Sequence, residues 1–169
     1  MADIATTLNK STPSNFQLIF PKLPTEVTLS ASKELTLNIY STLIPSVSIE
    51  VTEMPWRGAK VHQESGGMTH DAWNVTFIID SDFKNWKILY KWLTYILNNH
   101  NVYGRDRDKF VVDATLHIMD NWEDVIFKLF FVDVWINSLS EVTMSTREGE
   151  QVLECTATFQ YDRYELRED

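Results

Sequence analysis

An alternation of apolar and polar residues at every second position recurs along this chain, and it is the period of a pleated strand rather than of a helix. Trp73, Val75, Phe77 and Ile79 follow it up to Asp80. Near the C-terminus Leu153, Cys155, Ala157, Phe159 and Tyr161 oppose Val152, Glu154, Thr156, Thr158, Gln160 and Asp162. Shorter versions run through Phe16, Leu18 and Phe20, through Leu35, Leu37 and Ile39, through Val47, Ile49 and Val51, and through Val142 and Met144 before a turn at residues 148–150. Phe110, Val112, Ala114, Leu116 and Ile118 repeat it ahead of a turn signal at Asp120-Asn121. Each run predicts a half-buried strand, about eight in all. Residues 127–136 are apolar on both faces, which predicts a central strand covered on both sides or a strand buried in an assembly.

One segment departs to a helical period. Phe83, Trp86, Leu89, Tyr90, Leu93, Ile96 and Leu97 recur three and four apart after Asp80-Ser81-Asp82, which offers an N-cap and negative charge for a first turn. The helix is expected over residues 82–98, its apolar stripe on a sheet and Lys84, Lys87 and Lys91 forming a basic strip outward. Residues 53–71 follow neither period, and with Gly66-Gly67 as a turn signal they read as a long loop, a feature that usually has a job in a compact domain.

The 169 residues suffice for one domain with its own core, placed at residues 15–169 behind a mobile arm at 1–14 rich in Thr, Ser and Asn. Net charge is −9, with eight acids against three bases from Glu141 to the end. That balance disfavours a grip on nucleic acid or on anionic membranes. No secretory leader or apolar run long enough to span a bilayer is visible, so a soluble chain made in a cytoplasm is expected. The single cysteine, Cys155, lies in an apolar alternation and reads as a buried structural thiol.

Catalytic and ligand motifs are sought without success. His62, His70, His100 and His117 lack metal-ligand spacing and read as surface or structural histidines. Asp80 and Asp82 lack the further oxygens of a calcium loop and read as caps. The alternating charges of residues 105–109 read as a solvated loop. No cofactor, metal or catalytic residue is expected, and an enzyme or ligand-binding sandwich is the weaker reading. The aromatic content is high, six Trp, six Tyr and nine Phe. Trp56 in the apparent loop and Trp92 off the centre of the helix stripe resist burial in a small sandwich, which suggests a protein interface.

Several stretches carry a resemblance. Leu43-Ile44-Pro45-Ser46-Val47-Ser48-Ile49, Met54-Pro55-Trp56-Arg57-Gly58-Ala59-Lys60 and Trp73-Asn74-Val75-Thr76-Phe77 precede the helix opening Asp80-Ser81-Asp82-Phe83-Lys84-Asn85-Trp86. Phe131-Val132-Asp133-Val134-Trp135-Ile136-Asn137-Ser138-Leu139, Val142-Thr143-Met144-Ser145 and Thr158-Phe159-Gln160-Tyr161-Asp162-Arg163-Tyr164-Glu165 close the chain. In this order they resemble the tail tube protein family of contractile-tailed bacteriophages, whose architecture is shared by baseplate tube initiators, tubes of injection systems and the type VI secretion tube.

The resemblance implies an antiparallel β-sandwich or barrel subunit with one flanking helix, joined into hexameric rings that stack into a tube. Its partners would be further copies, a tail sheath, and baseplate and terminator proteins. The place would be the virion tail, assembled in the host cytoplasm, and DNA would pass through without specific binding. An inner tube subunit is the expected role, with a baseplate tube initiator or tail-end component of the same fold, or the tube protein of a contractile injection system, as the alternative. Met54, Trp56, Arg57 and Lys60 are then expected at contacts between subunits or rings, Glu154, Thr156, Thr158 and Gln160 on the channel wall, and Lys84, Lys87 and Lys91 toward a sheath.

Overall fold

The computed structural model describes residues 14–24, 39–99, 107–145 and 152–167. In chain order these form β1 (Phe16–Ile19), β2 (Ile39–Thr42), β3 (Val47–Trp56), β4 (Ala59–His70), β5 (Trp73–Ile78), helix α1 (Lys84–Asn99), a 3-10 turn (Arg107–Lys109), β6 (Val112–Met119), β7 (Val125–Leu139), β8 (Glu154–Gln160) and β9 (Arg163–Arg167). The chain is mainly β with antiparallel sheets, as its alternation predicts. Leu35, Leu37, the turn at 148–150 and residues 1–13 of the arm lie outside the described residues.

Strands follow the order β1-β6-β7-β8-β5-β2, with β9 on β7, while β3 and β4 form a separate two-stranded sheet. The organiser is β7, fifteen residues long. Its first part pairs with β6 and β9, and Trp135 to Leu139 pair with β8. Between them Asp133 has φ 56, a left-handed value uncommon for a residue with a side chain, and its N–H donates to Asp113 Oδ1 at 3.3 Å. The register shifts there, and such a bulge bends the strand and increases its twist. The bend brings Phe131 of β7 face to face with Trp73 of β5, ring centroids 4.1 Å apart and 3° from parallel. The sheet therefore closes over its own aromatic core.

That core is built from the residues the period-two pattern selects. Leu18, Trp73, Val75, Phe77, Ala114, Leu116, Leu129, Phe131, Cys155, Ala157 and Phe159 are all buried. The helix covers it with the expected stripe, Leu89 buried and Phe83, Trp86, Leu93 and Ile96 packed on the core, and departs from expectation only at the edges of that stripe. Trp92 is fully buried, donates from Nε1 to Phe110 O at 2.8 Å and meets Phe20 edge-on, whereas Tyr90 and Leu97 are exposed. The indole finds an acceptor at depth, which lets a large aromatic with a polar tip occupy the centre of the face. The N-terminus of α1 is tied by Asn85, fully buried: Nδ2 donates to Ile78 O at 2.5 Å, and Oδ1 accepts from Asp80 N at 3.3 Å.

Three further expectations are corrected. Residues 53–71 are not a loop but most of the β3–β4 hairpin, turned by Arg57 (φ 47) and Gly58 (φ 83). Two successive positive φ values between the directly paired Trp56 and Ala59 make a two-residue turn of the type that matches strand twist. Gly66, φ 78, lies inside β4 where the register shifts, so Gly66-Gly67 marks a bulge rather than a turn. Val142 and Met144 form no strand, and β9 is a strand that the alternation did not single out.

Candidate assembly surfaces

The hairpin leaves both of its faces in solvent. Val47, Ile49 and Val51, expected to be half-buried, are 40%, 56% and 62% exposed, and Met68 opposite Ile49 is 61% exposed. Near the tip Met54 pairs with Val61, and Trp56, 64% exposed, pairs with Ala59. Alternation along β3 puts Val47 and Ile49 on one face and Met54 and Trp56 on the other. The hairpin thus carries two apolar patches, at the base of one face and at the tip of the opposite face. An isolated two-stranded hairpin is marginal in water, and exposed apolar area of this kind makes it the candidate assembly surface.

Polar groups rim the tip patch. The Arg57 guanidinium carbon lies 5.7 Å from the Trp56 ring centroid, and Lys60 Nζ forms an ion pair with Glu53 Oε2 at 2.6 Å. The structure therefore brings Met54, Trp56, Arg57 and Lys60 together at one tip, although Lys60, paired with Pro55, belongs to the face opposite Trp56. Pro55 has no N–H to offer a ladder, which suits a strand with a free edge.

The expected channel residues also share one face. Thr156 Oγ1 and Thr76 Oγ1 lie 2.9 Å apart, and Thr158 Oγ1 donates to Asn74 Oδ1 at 2.9 Å. Gln160 is half-buried opposite Trp135, and Glu154 is exposed. The β5–β8 face thus carries Asn74, Thr76, Glu154, Thr156, Thr158 and Gln160, with no Lys or Arg. On α1, Lys84, Lys87 and Lys91 are all exposed; Lys84 Nζ is 3.3 Å from Asp82 Oδ2, and Lys87 Nζ donates to Asp82 O at 3.0 Å.

A second outer face went unread in the sequence. Pairing of β7 with β9 sets Lys128 against Arg167, Phe130 against Glu165 and Val132 against Arg163. Arg167 lies over the Phe130 ring at 4.1 Å. The Arg163 hydrogen bond, at 3.0 Å, and the neighbouring Arg167 hold the Glu165 carboxyl below the usual carboxylate range. The two outer faces therefore differ in charge, one neutral to acidic and one basic. The available signal was the period-two run Arg163, Glu165, Arg167, which follows Tyr161 in phase.

The fold, mainly β with antiparallel sheets and one helix among the described residues, is shared with chains of contractile injection systems. A chain in the sheath/tube terminator of an extracellular contractile injection system in the extended state shares it at TM-score 0.63 and 11% identity, over 95% of this chain and 99% of that one. The tube-terminating cap of the anti-feeding prophage gives TM-score 0.60 at 12% identity over 100% of both chains. The family model described as phage tail tube protein matches residues 11–167, and the chain belongs to that family. It is also 28% identical over 169 residues to the tail tube terminator protein of Enterobacteria phage T4, spanning 95% of this chain and 91% of the relative.

Proposed function

We propose that this protein terminates the tail tube of a contractile-tailed phage, forming a hexameric ring that stacks on the tube end. The observation that carries the reading is the near full-length likeness to the T4 tail tube terminator. Its role is structural, without catalysis, cofactor or metal, and its partners are its own copies, the tube ring beneath it and the tail sheath. The place is the virion tail, assembled in the host cytoplasm.

The geometry supports a ring. Among the described residues the strand order ends in β1 and β2, each paired on one side, and ring closure is the usual way to remove such edges. In this reading the hairpin, with Met54, Trp56, Arg57 and Lys60 at its tip, contacts neighbouring copies or the next ring. The β5–β8 face lines the channel, because a wall without Lys or Arg does not hold a passing phosphate backbone. The inner tube subunit first expected from the sequence has the same fold and would differ in growth.

Negative-stain imaging with mass photometry of the purified protein separates the two. Rings that do not elongate alone and that cap preformed tubes are expected. Spontaneous growth into long tubes would overturn the terminator reading and return the chain to the tube shaft.

A further inference from the structure

We propose that Tyr161, Tyr164 and His70 form a pivot that holds the β3–β4 hairpin at one angle to the main sheet, so that it meets a second copy of the chain already aligned. Among the described residues the hairpin shares no strand pair with the main sheet. Its two legs are joined to each other at the base, where Asp71 N donates to Ser46 O at 3.2 Å and the Ser46 hydroxyl donates to Asp71 Oδ2. Those bonds close the hairpin but leave its direction free.

Direction is set from the corner between β8 and β9. Tyr161 OH donates to Asp71 O at 2.9 Å on the outgoing leg, and Tyr164 OH donates to Pro45 O at 3.3 Å on the incoming leg. Two bonds to two legs from one corner fix a rotation, which a single bond would not. Pro45 itself is fully buried, and its ring fixes φ where the leg begins. The His70 ring sits against both tyrosines, with centroids at 5.7 Å and 5.4 Å. Behind them Phe131 meets Tyr161 at 5.1 Å and Tyr164 at 5.4 Å and stacks on Trp73. A continuous aromatic path therefore runs from the hairpin base into the core.

His70 Nδ1 is buried without a hydrogen-bond partner. Such an orphan atom is rare in a folded interior and asks for an explanation. Here the imidazole is held by the shape of the rings around it rather than by that atom. Burial, with Tyr164 and Asp71 nearby, pushes the Tyr161 hydroxyl up to about 12, so it keeps the proton it donates. An arm fixed in advance loses less freedom on docking than a swinging one, which is how preorganisation raises affinity.

The role of the pivot in assembly rests on the hairpin being an assembly arm; the pivot itself does not. The test is the double variant Tyr161→Phe/Tyr164→Phe, which keeps both rings and removes only the hydroxyls. Spin labels at Gln63→Cys on β4 and Gln17→Cys on β1, in a Cys155→Ala background, report the hairpin angle as a distance distribution. That distribution is expected to broaden about twofold while the circular dichroism of the main sheet holds, since only a local contact is lost. Should the double variant fail to fold, each single variant is measured the same way. An unchanged distribution overturns the pivot. A broadened distribution supports it, and ring formation then reads the arm: about tenfold weaker assembly upholds the arm, while unchanged assembly would remove that role and leave the pivot standing.

Discussion

Trp56 exposes most of its ring at the hairpin tip, and Tyr161 buries nearly all of its own at the hairpin base. Opposite consequences follow. Trp56→Ala removes no core contact, so the stability of the isolated subunit is expected to change by less than about 0.5 kcal/mol, as for surface substitutions generally. Ring or cap assembly is expected to fall, and normal assembly in light scattering would show that the tip is not a contact. Tyr161 instead answers to alkali. Its hydroxyl is raised to about 12 in the fold, whereas an unfolded tyrosine ionises near 10. The unfolded state therefore releases the proton first, and stability present below about pH 10 is lost as the pH rises toward 12. Absorbance titration of phenolate should lose its latest-titrating component in Tyr161→Phe, and an unchanged profile in that variant would contradict the burial of Tyr161.

The helix shows how much one buried polar side chain decides. Asn85 satisfies Ile78 O and Asp80 N from inside the core, and Asn85→Leu strips both partners at once. A loss of about 2–3 kcal/mol in urea unfolding is expected, in the range for buried groups left unpaired. On the opposite face, Lys84 stands in the first turn, which contains no acid, so it opposes the helix dipole. Reversing Lys84, Lys87 and Lys91 to Glu is thus expected to leave the helix intact by circular dichroism. A drop in sheath polymerisation on tubes capped by this variant would then report a sheath contact, and unchanged polymerisation would remove that role. The β9 strand is expected to respond to acid through Glu165. Its carboxyl is depressed by Arg163 and Arg167, so the contribution present at neutral pH disappears as the pH falls below the ordinary carboxylate range. Lower protection factors confined to β9, taken relative to the slower intrinsic exchange in acid, are the expected signature.

At the scale of the whole molecule, the two outer faces differ in charge. The β5–β8 face carries hydroxyls already bonded across strands, Thr156 to Thr76 and Thr158 to Asn74. Thr156→Lys with Thr158→Lys would remove those bonds, at about 1 kcal/mol each, and add two charges to the face. If that face lines the channel, assembled particles should eject DNA more slowly, and added salt should relieve the delay. Finding both side chains on the outside of a reconstructed ring would contradict the assignment.

Period-two alternation determined the strands β1, β5, β6 and β8, the two-faced β7, and nearly every core residue, because burial of one face imposes that pattern locally. The helix was legible in place and in its packed stripe of Phe83, Trp86, Leu89, Leu93 and Ile96, but not in the burial of Trp92. Trp92 reaches the centre only because Phe110 O awaits its Nε1 from another element, a partner outside the helix itself. Of the hairpin, only the start of β3 at Val47, Ile49 and Val51 was legible. Beyond it the apolar residues change faces, the turn is Arg57-Gly58 rather than Asn-Gly, and Gly66-Gly67 lies in a strand, so residues 53–71 pointed to a loop. Tertiary structure alone decided that Tyr161, Tyr164 and His70 meet, since residues about ninety positions apart converge only when β7 bends at Asp133. A sequence pattern records which side chains a strand hides, and the fold decides what they are hidden against.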